Sequence, residues 1–203
     1  MILKTTLAGR TYAFKDVKDV MAKANEQKSG DVLAGLAAET DSERIAAKEV
    51  LANMLMSDLR EHPAVDYDID DVTRMDQDGV DTAQYNRIKN MTVGEFREWL
   101  LSYDTTEADI KGATRGMTAE MVAGVAKIMS NLDLVYAAHK IHVESECNTV
   151  AGRRGTFSTR LQPNHPTDDV EGITASLYEG LSYGCGDMLI GLNPVNDTSA
   201  SCK

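Results

Sequence analysis

Apolar residues along the 203-residue chain recur at two different periods, and the change of period divides it into segments. Ile2, Thr5 and Leu7 lead into Ala8-Gly9-Arg10, and Thr11, Tyr12 and Phe14 lead out, a pattern that predicts a β-hairpin over residues 1–14. From Lys15 the spacing becomes helical. Val17, Val20, Met21 and Ala24 share one face, and Ser29-Gly30-Asp31 interrupts before a short stretch around Leu33 and Leu36. Thr40 followed by Glu43 is a capping-box signature, opening a helix whose predicted stripe is Ile45, Val50, Leu51, Met54 and Leu55. Ser57-Asp58 starts another short turn that stops at His62-Pro63. Residues 66–79 are dense in aspartate and read as an acidic loop. Thr92 with Glu95 repeats the capping box ahead of Val93, Phe96, Trp99 and Leu100. A further helix is predicted from Thr118 through Leu132, burying Met121, Val122, Val125, Ile128, Met129 and Leu132.

After Val150 the texture changes. Gly152 and Gly155 precede 156–162, a β-favouring run that ends at Pro163. Asp168 with Glu171 is the predicted cap of a helix bearing Val170, Ile173, Leu177 and Leu181, and Gly184 and Gly186 stop it. Residues 188–192 are continuously apolar and bounded by turn signals, which predicts a strand buried on both faces. A strand–helix–strand unit of this length predicts a parallel pair. The expected organisation is a hairpin and helical region at 1–150, then an α/β segment at 151–203 whose two strands cannot close a sheet by themselves.

Composition narrows the class. The chain is 42% hydrophobic and 26% charged, as in an ordinary globular protein, while its aromatic content of 5% leaves the core to aliphatic side chains and methionine. This length buries a substantial core without metal or disulfide staples. The net charge is −11, and its excess is local: residues 61–110 hold 13 acidic and 4 basic side chains, whereas residues 1–60 hold 9 of each. No Lys/Arg cluster marks a phosphate footprint, so nucleic acid is not an expected partner. The N-terminal MILKTTLAGR lacks the apolar core of a signal peptide, and no apolar run approaches the roughly 18–20 residues that cross a bilayer. Cys147, Cys185 and Cys202 have neither CxxC spacing nor an even count and read as reduced thiols. A soluble protein retained inside the cell, without a membrane partner, is the expectation.

Three constellations fail on chemistry. Asp66-x-Asp68-x-Asp70 imitates the start of a calcium loop, but the sixth position is Asp71 where glycine is needed and the twelfth is Gln77. Gly184-x-Gly186 precedes a strand, not a helix, and leaves the dinucleotide fingerprint incomplete. His139 and His142 have no carboxylate or thiol partner at metal-ligand spacing. No metal site is assigned.

One constellation survives. Side chains two apart on a strand share a face, so Arg160 and Gln162 are co-facial at the end of the first strand. Asn193 stands at the end of the next strand, 33 residues on, about one β/α unit. Ligands of parallel α/β sheets bind beyond the carboxyl ends of the strands. A guanidinium and two carboxamides there offer several donors and two acceptors, suited to a small molecule with a hydroxyl and an amine.

The blocks Lys15-Asp16-Val17-Lys18, Ala22-Lys23-Ala24-Asn25-Glu26, Ser29-Gly30-Asp31-Val32-Leu33-Ala34-Gly35 and Gly155-Thr156-Phe157-Ser158 resemble the large subunit of ethanolamine ammonia-lyase. So do Arg160-Leu161-Gln162-Pro163-Asn164, Tyr178-Glu179-Gly180-Leu181-Ser182 and Gly191-Leu192-Asn193-Pro194-Val195, and the resemblance runs from about Leu3 to Val195. It implies an adenosylcobalamin-dependent radical enzyme that converts ethanolamine to acetaldehyde and ammonia, in the cytoplasm or a bacterial microcompartment. It also implies an N-terminal helical region ahead of a TIM-type (β/α)8 barrel, a homo-oligomer of large subunits, and a small subunit that helps enclose the cobalamin. By position, Arg160, Leu161 and Gln162 match the first-strand substrate segment, with Arg160 the catalytic residue. Asn193 matches a second-strand substrate residue, and Pro194 a residue touching the cofactor. The approach at 144–154 is more polar than the family tends to be, and 196–203 does not resemble the family's next helix. With two of eight strands present, the 203-residue chain on its own is expected to be inactive. The competing expectation is a truncated non-catalytic relative serving as an oligomerisation or scaffold module.

Overall fold

The computed structural model describes residues 2–146, 150–187, 189–196 and 198, and these form two compact units, Met1–Ile141 and His142–Lys203. In the first unit, β1 (Lys4–Leu7) and β2 (Arg10–Ala13) pair antiparallel as predicted, in the register Leu7↔Arg10. Ala8 (φ 49°) and Gly9 (φ 79°) fill the two-residue turn, whose twist matches the strands only with both φ positive.

Ten helices follow in this unit: α1 (Val17–Lys23), α2 (Ser29–Leu33), α3 (Asp41–Ala52), α4 (Met56–Glu61), α5 (Asp71–Asp78), α6 (Thr82–Ile88), α7 (Val93–Leu101), α8 (Glu107–Thr114), α9 (Ala119–Lys127) and α10 (Asn131–Lys140). Local side chains start most of them. Thr92 Oγ1 accepts from Glu95 N–H at 3.0 Å while Glu95 Oε2 accepts from Thr92 N–H at 2.7 Å, closing the predicted box of α7. Thr40 caps α3 by accepting from Glu43 N–H at 3.1 Å, but the Glu43 carboxylate takes Glu39 N–H and Lys23 Nζ instead of returning to Thr40. The core gathers Val17, Val20, Leu51, Met56, Leu59, Val93, Phe96, Met121 and Val125, where α3 packs against α1, α7 and α9. An antiparallel bridge between Leu55 and Thr92 ties the α3–α4 junction to the start of α7.

The structure corrects the sequence expectations at several places in this unit. The acidic loop expected at 66–79 holds α5. Asp70 Oδ2 accepts from Thr73 N–H and Oγ1, both at 2.8 Å, so an aspartate that reads as loop charge is a helix cap. Residues 82–88 and 107–114, for which the pattern predicts nothing, are the short helices α6 and α8, capped by Asp81 and Thr106. The helix expected to run through Leu132 stops at Lys127, and Ser130 caps α10, which turns Leu132 outward at 77% exposure. In α3, Ile45 is 52% exposed, and Ala46 and Ala47 are buried in its place.

In the second unit β3 (Ser145–Glu146) pairs antiparallel with β4 (Val150–Ala151). β5 (Arg160–Leu161), α11 (Val170–Ser182) and β6 (Leu189–Ile190) form the predicted strand–helix–strand unit, with β5 and β6 parallel in the register Arg160↔Leu189. The ladder is shorter than the run at 156–162 predicts, because β5 has a single neighbour among the described residues. For the same reason β6 is not buried on both faces: Leu189 and Ile190 are 51% and 45% exposed. Helix α11 ends in a Schellman motif, with Cys185 N–H donating to Gly180 O and Gly184 N–H to Leu181 O. Gly184 supplies the required φ of +77°. The Cys185 thiol is free; Cys147 and Cys202 lie outside the described residues.

Candidate functional site

The surviving candidate residues belong to the C-terminal ends of β5 and β6. Alternation on β5 separates them by face. The Leu161 side chain packs against α11, so closely that a Cβ on Gly180 would come within 2.4 Å of Leu161 Cδ1. The Arg160 guanidinium takes the other direction and lies over the backbone just past β6, where a Cβ on Gly191 would meet its Nη2 at 3.1 Å. The two strand ends are joined by Gly191 N–H, which donates to Leu161 O at 2.9 Å. Gln162 and Asn193 are exposed and Pro194 is half-buried, each in the segment that leaves its strand.

Asn164, two residues beyond Gln162, reaches across. Its Oδ1 accepts from Asn193 N–H at 3.0 Å. Asp168 does the same further out: Oδ1 accepts from Val195 N–H at 2.8 Å and Oδ2 from Asn196 N–H at 2.9 Å. Those two N–H groups, first that of Val195, hold the Asp168 carboxyl below the usual carboxylate range, and His165 adds to it. Asp168 is therefore not the helix cap. Asp169 caps α11, accepting from Gly172 N–H at 2.8 Å, while Asp168 stands at φ 55°, outside the helix. At the opposite end of the strands, Asp187 Oδ1 accepts from both Thr159 N–H and Thr159 Oγ1 at 2.6 Å.

The structure thus brings Arg160, Leu161, Gln162, Asn193 and Pro194 to one end of one strand pair. Asn164 and Asp168 are the neighbours that sequence reasoning missed. The available signal was the pair Asp168-Asp169, since a helix start uses only one of two adjacent aspartates as its cap.

Among the described residues no group of three or more His, Cys, Asp or Glu is placed to hold a metal ion. Asp70 of the calcium-like run is engaged as a helix cap. His142 lies beyond the end of α10 with Nε2 3.0 Å from Glu144 Oε1, so it does not share a helix face with His139. No helix among the described residues is long and apolar enough to cross a membrane. In the first unit an open cleft of about 760 Å³ is lined by Asn25, Glu26, Lys28, Lys48 and Lys127 among others. Glu26 pairs with Lys48 at 3.1 Å, Lys127 donates to Asn25, and burial and then Lys28 lower the Lys127 ammonium.

Residues 12–203 match the family model described as Ethanolamine ammonia lyase large subunit (EutB). The ethanolamine ammonia-lyase large subunits of Escherichia coli (strain K12) and Salmonella typhimurium (strain LT2) are each 55% identical to the chain over 197 residues, 97% of its length and 44% of theirs. The chain accordingly spans less than half the length of these curated relatives.

Proposed function

The chain belongs to the ethanolamine ammonia-lyase large-subunit family, and we propose that it supplies part of the substrate site of a lyase converting ethanolamine to acetaldehyde and ammonia. The parallel register of β5 and β6 carries this reading, because it sets a guanidinium and two carboxamides at the ligand-binding end of a strand pair. In this reading β5, α11 and β6 are the first units of a (β/α)8 barrel, preceded by the hairpin and helical region. Further copies of the large subunit and a small subunit are its partners.

Each residue has a distinct task. Arg160 presents a planar fork to the substrate oxygen and offsets charge that develops as the amine migrates or leaves. Gln162 and Asn193 each offer one acceptor and two donors, enough to fix the hydroxyl and the amine in one orientation. Leu161, whose side chain is taken up by Gly180, would meet the substrate through its backbone alone.

Adenosylcobalamin, when bound, supplies the radical that takes hydrogen from the substrate. The residues present fit one edge of such a group. Pro194 is rigid and half-buried, and Leu192 and Val195 beside it are exposed, so the end of β6 offers an apolar lip to the rim of a large ring system. Pro194 would hold that rim.

The test is steady-state kinetics, beside a melting curve, in a full-length large subunit carrying these residues and assembled with its small subunit and cofactor. Arg160→Ala lowers kcat/KM by roughly 10²-fold or more, and added guanidinium restores part of it. Gln162→Ala and Asn193→Ala each remove a hydrogen bond worth about 0.5–1.5 kcal/mol net and cost less. Melting temperatures stay unchanged, since all three lie at strand ends. Normal kinetics in all three variants, or a loss of activity only by unfolding, would make these residues structural and sink the site assignment.

A further inference from the structure

The segment 193–196 has three backbone N–H groups, because Pro194 has none. All three are accepted by two side chains of the loop between β5 and α11: Asn193 N–H by Asn164, and Val195 and Asn196 N–H by the two oxygens of Asp168. A carboxylate bonded to two N–H groups is a strong, charge-assisted clamp. It also accounts for the backbone at Asp168. A φ of 55° is unfavourable for a residue with a Cβ, although aspartate tolerates it better than most, and here it aims both carboxylate oxygens at the facing segment. The loop is braced from behind. His165 Nδ1 lies 3.1 Å from Thr167 Oγ1 and 3.4 Å from Asp169 N–H, and its ring sits where a Cβ on Gly172 would come within 2.6 Å.

Taking the roles of Asn193 and Pro194 from the reading above, we infer that Asp168, with Asn164, is a positioning residue of the substrate site, which holds the segment 193–196 in place beyond the end of β6. Neither side chain touches the reacting atoms. The clamp acts through Asn193, whose carboxamide is useful only if its backbone is held to a fraction of an ångström, since misplacement of about 1 Å costs on the order of 10²-fold.

Two substitutions separate the carboxylate from the backbone conformation. Asp168→Gly keeps the left-handed φ at no steric cost and removes both acceptors, whereas Asp168→Asn tolerates that φ and keeps one. In the full-length large subunit assembled with its small subunit, Asp168→Gly raises the KM for ethanolamine about tenfold, with a smaller change in kcat, because Asn193 grips ground state and transition state alike. Amide exchange at Val195 and Asn196 accelerates in the same protein, the melting temperature holds, and Asp168→Asn recovers part of the KM. Normal kinetics in Asp168→Gly overturns the inference, whether or not exchange changes. So does a kinetic loss that follows a fall in melting temperature and that Asp168→Asn fails to recover. Asn193→Ala in the same assembly tells the two readings apart. Normal kinetics there removes the site assignment itself, while an impaired Asn193→Ala beside an unaffected Asp168→Gly removes only the clamp.

Discussion

Arg97 and Asp133, 36 residues apart, join α7 to the first turn of α10: Arg97 Nη2 donates to Asp133 Oδ2 at 2.7 Å. The same carboxylate oxygen accepts from Ser130 N–H at 2.9 Å, so one side chain completes a helix cap and an ion pair between helices. The Arg97 guanidinium, then the Ser130 N–H and hydroxyl, hold the Asp133 carboxyl at about 2.

This relationship gives a pH dependence with a defined sign. A carboxyl lowered in the folded state contributes stability that is fully present above its unfolded value, about 3.9, and is lost as pH falls through the folded value. Asp133→Asn is therefore expected to melt below the parent protein at pH 7, and the two melting curves should converge between about pH 4 and pH 2. A gap that stays constant over that window would show that the ion pair does not contribute.

Exposure, not hydrophobicity, should rank two substitutions on α3. Leu51 is fully buried against α7 and α9, and Leu51→Ala is expected to cost about 2–5 kcal/mol. Ile45 is half exposed on the same helix, and Ile45→Ala should cost under about 1 kcal/mol. Chemical denaturation of the two variants decides it, and equal losses would place Ile45 in the core after all.

The second unit has its own tight contact. Gly180→Ala would drive a methyl against both Leu161 Cδ atoms, which lie 2.4 and 2.7 Å from its position, an overpacking of about 1–3 kcal/mol. The amide of Gly191, bonded to Leu161 O, should then exchange faster while that of Leu51 is unaffected. Combining Gly180→Ala with Leu161→Ala should cost less than the sum of the two, because the second change vacates the space the first needs. Additive losses would rule out the contact as their cause.

Much of this was legible in the sequence because the signals are local. The Thr92–Glu95 box closes within one turn, Ala8-Gly9 fills a two-residue turn between two short alternating runs, and the two-residue period of a strand sends Arg160 and Leu161 opposite ways. Where several residues of one type compete, locality fails. The aspartates of 66–78 all resemble caps or loop charge, and the register of α5 is set by Gln77 binding Arg60 and Asp76 binding Ala119, contacts 17 and 43 residues distant. Helical spacing in α3 allows either Ile45 or Ala46 and Ala47 to face inward, and the packing of α1, α7 and α9 decides for the small side chains.

The sequence by itself therefore determined the family, the hairpin, the capped helices, the strand–helix–strand unit and the side chains that stand at its strand ends. Only the tertiary structure decided that Asp169 rather than Asp168 caps α11, and that Asp168 and Asn164 grip a segment 27 to 29 residues away. The physical reason is the range of the interaction. Caps, turns and pleats are fixed by neighbours within about four residues, whereas a backbone N–H can be satisfied by any acceptor the fold brings within about 3 Å, and nothing in the local sequence says which.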